Sequence, residues 1–265
     1  MASFQERYGP WAVVAGASEG IGASFSRRLA GRGLNLVLLA RRAGRLEELA
    51  SELRTKHGVE VKTQSLDLGA TNLLEGLKKA TADLDVGLAI YNAAYSPIGR
   101  FLDVRLEDHF DVINVNVRGP LVVSHYFGQR LAARGRGGLI LMSSMSGYQG
   151  TAMVANYAAT KAYDTILAEG LWYELQEQGI DVLACVAGAT LTPSFEQSTD
   201  RTPSSWLARP MQPDEVTGQA LRDLGQQPTG VSGRRNRFGA TLLGRILPRR
   251  AAIRMVSKET EHMYR

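Results

Sequence analysis

Residues 11–22 have the sequence WAVVAGASEGIG, in which an apolar run passes directly into a glycine-rich turn. An amphipathic segment begins at the end of that turn. Glycines at such a junction let the backbone turn tightly and approach a pyrophosphate, whose charge is met by the N–H groups of the following helix. A position after a first strand and before a first helix is the context that such a site requires. The turn contributes five predicted cofactor-binding residues: Gly16, Ser18, Gly20, Ile21 and Gly22.

The rest of the chain alternates short apolar runs with longer amphipathic segments. The apolar runs predict strands at 11–15, 34–40, 59–66, 86–91, 138–143 and 180–187. The amphipathic segments predict helices at 21–32, 45–56, 73–81, 106–134 and 154–178. Strands that are apolar along their length suit a parallel sheet buried on both faces, and strand–helix–strand repetition calls for right-handed crossovers. We therefore predict an α/β fold, a single Rossmann-type, doubly wound parallel sheet with helices on both faces.

The length of 265 residues suits one domain, and no linker or repeat interrupts the pattern. We expect this single domain to divide by role along the chain. The parts are 1–92, mainly dinucleotide-binding; 106–192, catalytic; 193–213, a substrate-covering loop rich in Ser, Thr and Pro; and 224–265, a basic C-terminal segment.

The composition excludes several other classes of protein. Hydrophobic residues make up 44% and charged residues 22%, the ordinary mix of soluble globular proteins. The single cysteine, Cys185, cannot form an intrachain disulfide. Apolar runs fall far short of the roughly 20 residues that cross a bilayer, and residues 1–7 lack the apolar core of a signal peptide. The four histidines show no metal-ligand spacing. We expect a cytoplasmic protein without a metal.

The positive charge is concentrated near the C-terminus. Between Leu224 and Lys258 there are eight basic and no acidic residues, which leaves 23 basic against 26 acidic residues elsewhere. One interpretation is an amphipathic segment on an anionic membrane surface. The other is a solvated face whose apolar residues pack over a substrate pocket or against a second subunit. We favour the second, because Pro248 interrupts any helix there. Aromatic residues are too sparse for a nucleic-acid site.

Two arginines end the predicted second strand. A site for NAD places a carboxylate there to bind the ribose 2′-hydroxyl. This chain has Arg41 and Arg42, and the next acidic residue, Glu47, lies within the following helix. The guanidinium fork suits a phosphate, so the pair predicts a site for the 2′-phosphate of NADP(H). The alternative is a solvated pair at the end of a strand.

Polar and small residues follow the third and fourth predicted strands. Asp67 and Leu68 end the third strand, where the carboxylate can accept from an adenine amino group. Asn92 and Ala93 end the fourth strand, where small residues let the backbone lie close to a cofactor. We expect all four to bind the cofactor.

The helix predicted at 154–178 opens with Tyr157 and Lys161, which share a helix face. A free tyrosine has a pKa of about 10, and a neighbouring cation favours the phenolate. A phenol in this setting can protonate a carbonyl oxygen while hydride reaches the carbon, and the lysine also reaches nicotinamide ribose hydroxyls. Ser144 ends the fifth strand and can steady the substrate oxygen. Asn116 can hold a water that links the lysine to solvent. The alternative for the Tyr–Lys pair is an exposed helical pair.

Taken in order, these landmarks resemble the short-chain dehydrogenase/reductase superfamily over nearly the whole chain. They are Gly16, Gly20, Gly22, Asp67, Asn92, Ala93, Asn116, Ser144, Tyr157, Lys161, Gly188 and Thr192. The resemblance implies that Tyr157 is the general acid/base with Lys161 and Ser144 as its supports. It also implies a role for Asn116 in proton relay, cofactor contacts at Gly188 and Thr192, pro-S hydride transfer, and a homodimer or homotetramer built on the two longest helices.

The chain departs from the family pattern at three points. Ala15-Gly16 replaces Thr-Gly, Asn92-Ala93-Ala94 replaces Asn-Ala-Gly, and Ala187-Gly188 replaces Pro-Gly, which puts loop rigidity near the nicotinamide in doubt. Residues 8–14 are similar to the branch of hydroxysteroid dehydrogenases and long-chain 3-oxoacyl reductases. We expect an NADP(H)-dependent oxidoreductase acting on an apolar ketone or secondary alcohol. The alternative is a regulatory or scaffold protein that binds NADP without turnover.

Overall fold

The strands form one parallel sheet whose order reverses in the middle. The computed structural model describes residues 3–198 and 209–264. The seven strands lie in the order β3-β2-β1-β4-β5-β6-β7. They are β1 Trp11–Ala15, β2 Asn35–Ala40, β3 Val61–Ser65, β4 Val86–Tyr91, β5 Gly137–Ser144, β6 Ile180–Ala187 and β7 Thr229–Val231. The predicted doubly wound sheet is therefore confirmed, with its reversal between β1 and β4.

Helices connect the strands and cover both faces of the sheet. The helices are α1 Phe4–Tyr8, α2 Gly20–Ala30, α3 Ala43–His57, α4 Leu73–Thr81, α5 Leu106–Ile113, α6 Gly119–Arg134, α7 Ala155–Leu175, α8 Pro193–Ser198, α9 Pro213–Asp223, α10 Arg234–Thr241 and α11 Arg249–Tyr264. One core cluster includes Phe25, Leu53 and Val216, from α2, α3 and α9. The other includes Leu77 and Phe127, from α4 and α6. All residues of β1 and β4 are buried, as their continuous apolar sequences predict.

The structure differs from the predicted elements at several places. The helix predicted at 106–134 contains a π-helical turn, Asn114–Arg118, between α5 and α6. The short strand β7 was not predicted, because its three residues carry no periodic signal. The segment predicted as a loop at 193–213 begins with helix α8, and residues 199–208 of that prediction lie outside the described residues. A parallel bridge between Thr190 and Met211 brings the two ends of this segment together.

The basic C-terminal segment folds back onto the domain. Helix α10 continues into a π-helical turn, Leu242–Ile246, and Pro248 lies between that turn and α11. The Arg249 guanidinium donates to the Tyr148 carbonyl oxygen at 2.6 Å, and the Ala152 N–H donates to Ser257 Oγ at 3.1 Å. The segment therefore packs against residues 148–152, immediately before α7. No helix in the described part of the chain is long and apolar enough to cross a membrane.

The start of α6 depends on the absence of a side chain at Gly119. A methyl group there would overlap the Tyr91 hydroxyl and lie 2.7 Å from Cζ of the same ring. Tyr91 is fully buried and donates to the Val115 carbonyl oxygen at 2.5 Å, so its ring cannot move aside without losing that bond. We expect Gly119→Ala to lower the free energy of unfolding by about 1–3 kcal/mol, measured by chemical denaturation.

Gly128→Ala, on the same helix, is the matched control. A Cβ at Gly128 meets nothing within 4 Å, so alanine's higher helix propensity should raise stability by up to about 1 kcal/mol. A Gly119→Ala protein as stable as this control would contradict the packing argument.

Candidate active site

The glycine turn between β1 and α2 is shaped by close backbone contacts. Gly16 has a φ of 86°, and a Cβ there would lie 2.6 Å from the Ala93 nitrogen. Gly20 has a φ of 55°, also in the left-handed region that favours glycine. A Cβ at Gly22 would overlap the Gly16 carbonyl oxygen. These approaches leave a cradle of bare backbone at the N-terminus of α2, which fits the pyrophosphate of a dinucleotide.

Asn92 ties the ends of β1 and β4 together at the reversal of the strand order. Its Nδ2 donates to the Gly16 carbonyl oxygen at 2.9 Å. The backbone N–H groups of Asn92 and Ala93 donate to the Ala15 carbonyl oxygen at 2.8 and 3.1 Å. The structure thus brings together the predicted residues of the first and fourth strands at the edge where open α/β sheets bind ligands.

The loop after β6 closes over this turn. The Thr192 methyl group lies 2.8 Å from the position that a Cβ of Gly20 would take. Gly188 faces the Asn236 amide of α10, since a Cβ at Gly188 would lie 2.5 Å from Asn236 Nδ2. Asn236 is buried and donates to the Ser232 carbonyl oxygen at 2.7 Å. Asn236 was not predicted, because nothing in the sequence of the basic segment distinguishes a buried asparagine from a solvated one.

The arginines after β2 lie beside the glycine turn. Arg42 Nη2 donates to Ser18 Oγ at 3.1 Å and pairs with the Glu19 carboxylate at 2.7 Å. Arg41 is exposed. Asp67 is exposed and accepts the Gly69 N–H at 3.0 Å, while Leu68 is buried. These residues follow β2 and β3 at the carboxyl edge of the sheet.

Strand β5 and helix α7 carry three of the four predicted catalytic residues. Ser144, the last residue of β5, is half-buried, and its Oγ accepts the Ser146 N–H at 3.2 Å. Tyr157 is half-buried in the first turn of α7, and Lys161 Nζ lies 5.7 Å from the centre of its ring. Ser143 Oγ donates to the Lys161 carbonyl oxygen at 2.6 Å, which joins the end of β5 directly to α7.

Lys161 points into the protein and not toward solvent. Its Nζ donates to the Met142 carbonyl oxygen and to Asp164 Oδ2, each at 2.8 Å. Burial favours the neutral amine, but the charges of Asp164 and Tyr157 and the hydrogen bond to Asp164 outweigh it and raise the pKa of Lys161. Asp164 was not predicted, although an acidic residue three positions after the lysine was an available signal.

Asn116 has its side-chain amide bonded to groups other than Lys161. The residue is fully buried in the π-helical turn. Its Oδ1 accepts the Tyr95 N–H at 2.8 Å, and its Nδ2 donates to the Tyr95 carbonyl oxygen at 2.9 Å and to Thr160 Oγ1 at 3.1 Å. The amide therefore fixes the loop after β4 against the first turns of α7, next to the predicted catalytic residues.

A small cavity lies next to Tyr157 and the four residues before it. Most of its lining is apolar, and two of its three polar side chains contact each other, with Asn156 Nδ2 3.3 Å from His109 Nδ1. The lining includes Pro97, Phe101, His109, Met153, Asn156 and Tyr157. Asn156 Nδ2 donates to the His109 carbonyl oxygen at 3.1 Å. Within the described residues no group of three or more His, Cys, Asp or Glu side chains is placed to hold a metal.

The sequence profile described as short chain dehydrogenase matches residues 10–203. The chain belongs to this family of oxidoreductases, which transfer a hydride between a nicotinamide cofactor and a carbonyl or alcohol group. It is 34% identical to the 7beta-hydroxysteroid dehydrogenase of Clostridium sardiniense over 235 residues, 89% of this chain and 90% of that enzyme. The predicted resemblance to hydroxysteroid dehydrogenases is thereby confirmed.

Two solved structures resemble the whole fold. One, from work on the stereoselectivity of 7beta-hydroxysteroid dehydrogenase, has a TM-score of 0.90 at 31% identity and covers 96% of this chain and 99% of that one. A short-chain dehydrogenase from Sphingobium yanoikuyae in complex with NADPH has a TM-score of 0.77 at 30% identity, with 84% and 86% covered.

The cradle at Gly22 predicts a selective effect on cofactor binding. We expect Gly22→Ala to weaken binding of a nicotinamide cofactor at least tenfold, about 1.4 kcal/mol, because the added methyl group displaces the Gly16 carbonyl from the turn. Fluorescence titration measures the affinity. Gly170→Ala on α7, where a Cβ meets nothing within 4 Å, is the control and should bind as the parent does. Unchanged affinity in Gly22→Ala would mean that the cofactor does not approach this turn.

Proposed function

We propose that this protein is an NADP(H)-dependent reductase of ketones in bulky apolar molecules such as steroids. The observation that carries the proposal is the placement of Tyr157, beside Lys161 and at the carboxyl edge of the sheet that also holds the glycine turn. An exposed helical Tyr–Lys pair would not have its lysine buried at 3% exposure and joined to the end of β5.

The proposed chemistry assigns one task to each side chain. When bound, the nicotinamide supplies the hydride. The Tyr157 hydroxyl gives its proton to the carbonyl oxygen as the carbon is reduced. The Ser144 hydroxyl donates a hydrogen bond to the same oxygen and stabilises its developing charge. The Lys161 ammonium stabilises the phenolate that remains, and Asn116 keeps the loop after β4 packed against the helix that carries both residues.

The preference for NADP(H) is supported by the side chains at the end of β2. No carboxylate follows that strand, and Arg42 already contacts Ser18 in the glycine turn. A 2′-phosphate placed there would meet two guanidinium groups, and it would compete with Glu19 for Arg42. The NADPH complex of the related Sphingobium enzyme agrees with this proposal.

The apolar character of the proposed substrate is supported by the side chains around Tyr157. The cavity there is lined mainly by apolar side chains, among them Phe101 and Met153. The basic C-terminal segment packs against residues 148–152, a few residues before Tyr157 in the chain, and we propose that it forms one wall of the substrate site. The related enzyme from Clostridium sardiniense is named for a hydroxysteroid.

A homodimer or homotetramer is also proposed. Large hydrophobic side chains are exposed on α5, α6 and α7, and both α5 and α6 contact α7 in the fold. They are Leu106, Phe110, Ile113, Leu121, Ile166 and Tyr173. Such a contiguous set of helices with exposed apolar groups is typical of a surface that a second subunit covers.

The cofactor preference is tested with the two arginines. NADPH should bind at least tenfold tighter than NADH, a difference of about 1.4 kcal/mol. Replacing Arg41 and Arg42 with alanine should weaken NADPH and leave NADH nearly unchanged, since only NADPH carries the 2′-phosphate. Arg45→Ala, one turn into α3, is the control. Equal affinities for the two cofactors in the parent protein would contradict the proposed preference for NADP(H).

The chemistry is tested by Tyr157→Phe, which deletes only the transferable proton. We expect kcat to fall by about two to four orders of magnitude on a panel of apolar ketones, while NADPH still binds. Tyr163→Phe, on the same helix, is the control and should keep most of its activity. A Tyr157→Phe protein with most of its turnover would require another acid. Absence of turnover in the parent on every ketone would favour a regulatory protein.

A further inference from the structure

Lys161 and Asp164 form a buried ion pair next to Tyr157. The side chains of Lys161 and Asp164 are 3% and 1% exposed, and Nζ lies 2.8 Å from Oδ2. The remaining contact of the ammonium is the Met142 carbonyl oxygen of β5. The second carboxylate oxygen, Oδ1, has no hydrogen-bond partner among the described residues. The carboxylate is therefore held almost entirely by the lysine that also stands beside the phenol.

Two groups beside the Lys161 ammonium can carry a negative charge, the Asp164 carboxyl and the Tyr157 phenol. Three phenols interact electrostatically with the ion pair: those of Tyr157 and Tyr163 on α7 and of Tyr91 on β4. The charge of Asp67 also raises the pKa of Tyr91. Burial raises the pKa of the Asp164 carboxyl, and Lys161 opposes that effect. A buried carboxylate with one strong partner depends on that partner for its charge. A phenolate at Tyr157 would have to share the Lys161 ammonium with the Asp164 carboxylate.

We propose that Asp164 is a positioning residue for the reaction: it holds the Lys161 ammonium, balances its charge and so keeps Tyr157 protonated, the form that reduction of a ketone requires. This inference rests on the proposed function, because it assigns a direction to the acid/base chemistry of Tyr157. With Asp164 in place, ionisation of the phenol adds a net negative charge to a buried site. Without it, the phenolate becomes the counter-ion of Lys161.

The variant that tests this is Asp164→Asn, which removes the charge and keeps the shape. The pH midpoint of alcohol oxidation with NADP⁺ should fall by about one unit, since an unbalanced cation close to a phenol favours the phenolate by that order. In the reductive direction, kcat should begin to fall at a correspondingly lower pH. Glu174→Gln removes one exposed carboxylate further along α7 and is the matched control, with its midpoint unchanged.

A second readout does not need turnover. Phenolate absorbance is titrated in the parent, in Asp164→Asn, and in each of these combined with Tyr157→Phe. The titration step that disappears with Tyr157→Phe belongs to Tyr157. Its midpoint should be about one pH unit lower in Asp164→Asn than in the parent. If the parent reduces no ketone, the proposed function fails, yet this titration still decides the role of Asp164. A midpoint that stays in place overturns the inference.

The pairing itself is tested by stability, in case Asp164→Asn does not fold. Lys161→Met leaves a buried carboxylate without its cation and should lower Tm. Lys161→Met/Asp164→Leu removes that charge as well and should recover more than half of the loss. A double variant no more stable than Lys161→Met would show that the carboxylate does not depend on the lysine, and would overturn the proposal.

Discussion

The hydrogen bond from the Asn92 amide to the Gly16 carbonyl is the contact on which the proposed cofactor end of the molecule depends. It joins the ends of β1 and β4, the two strands between which the order of the sheet reverses. The carbonyl can accept this bond only while Gly22 lacks a side chain. Because helices leave these two strands toward opposite faces, a crevice opens at their carboxyl ends. The glycine turn and Thr192 form its walls.

The proposed catalytic end is built by bonds between β5 and α7. Ser143, one residue before Ser144, donates to the Lys161 carbonyl and accepts from the Thr165 hydroxyl at 2.7 Å. From the other side, Asn116 donates to the Thr160 hydroxyl. Buried polar groups that satisfy one another in this way hold a helix in one register. Tyr157 therefore takes its position from contacts made by its neighbours, while its own hydroxyl makes no hydrogen bond within residues 3–198 and 209–264.

The C-terminal part of the described chain packs against the segments that follow β5 and β6. Met211 pairs with the loop after β6, and Asn236 packs its amide on Gly188. Farther along, Arg249 and Ser257 hold residues 148–152. Of the two interpretations of the basic segment, packing over the domain accounts for these contacts. Its arginines within residues 224–264, other than the half-buried Arg235, are exposed, and apolar residues such as Leu243 and Ala252 are buried.

Local patterns in the sequence determined the strands β1, β2 and β4 to β6, the glycine turn and the Tyr157–Lys161 pair, because continuous apolar runs and i,i+4 spacing depend only on neighbouring residues. Tertiary structure decided which groups those residues contact. Lys161 turns inward because β5 presents the Met142 carbonyl, and the Asn116 amide is taken by Tyr95, which no spacing along the chain indicates. The three residues of β7 and the packing of Asn236 on Gly188 likewise depend on partners far away in the sequence.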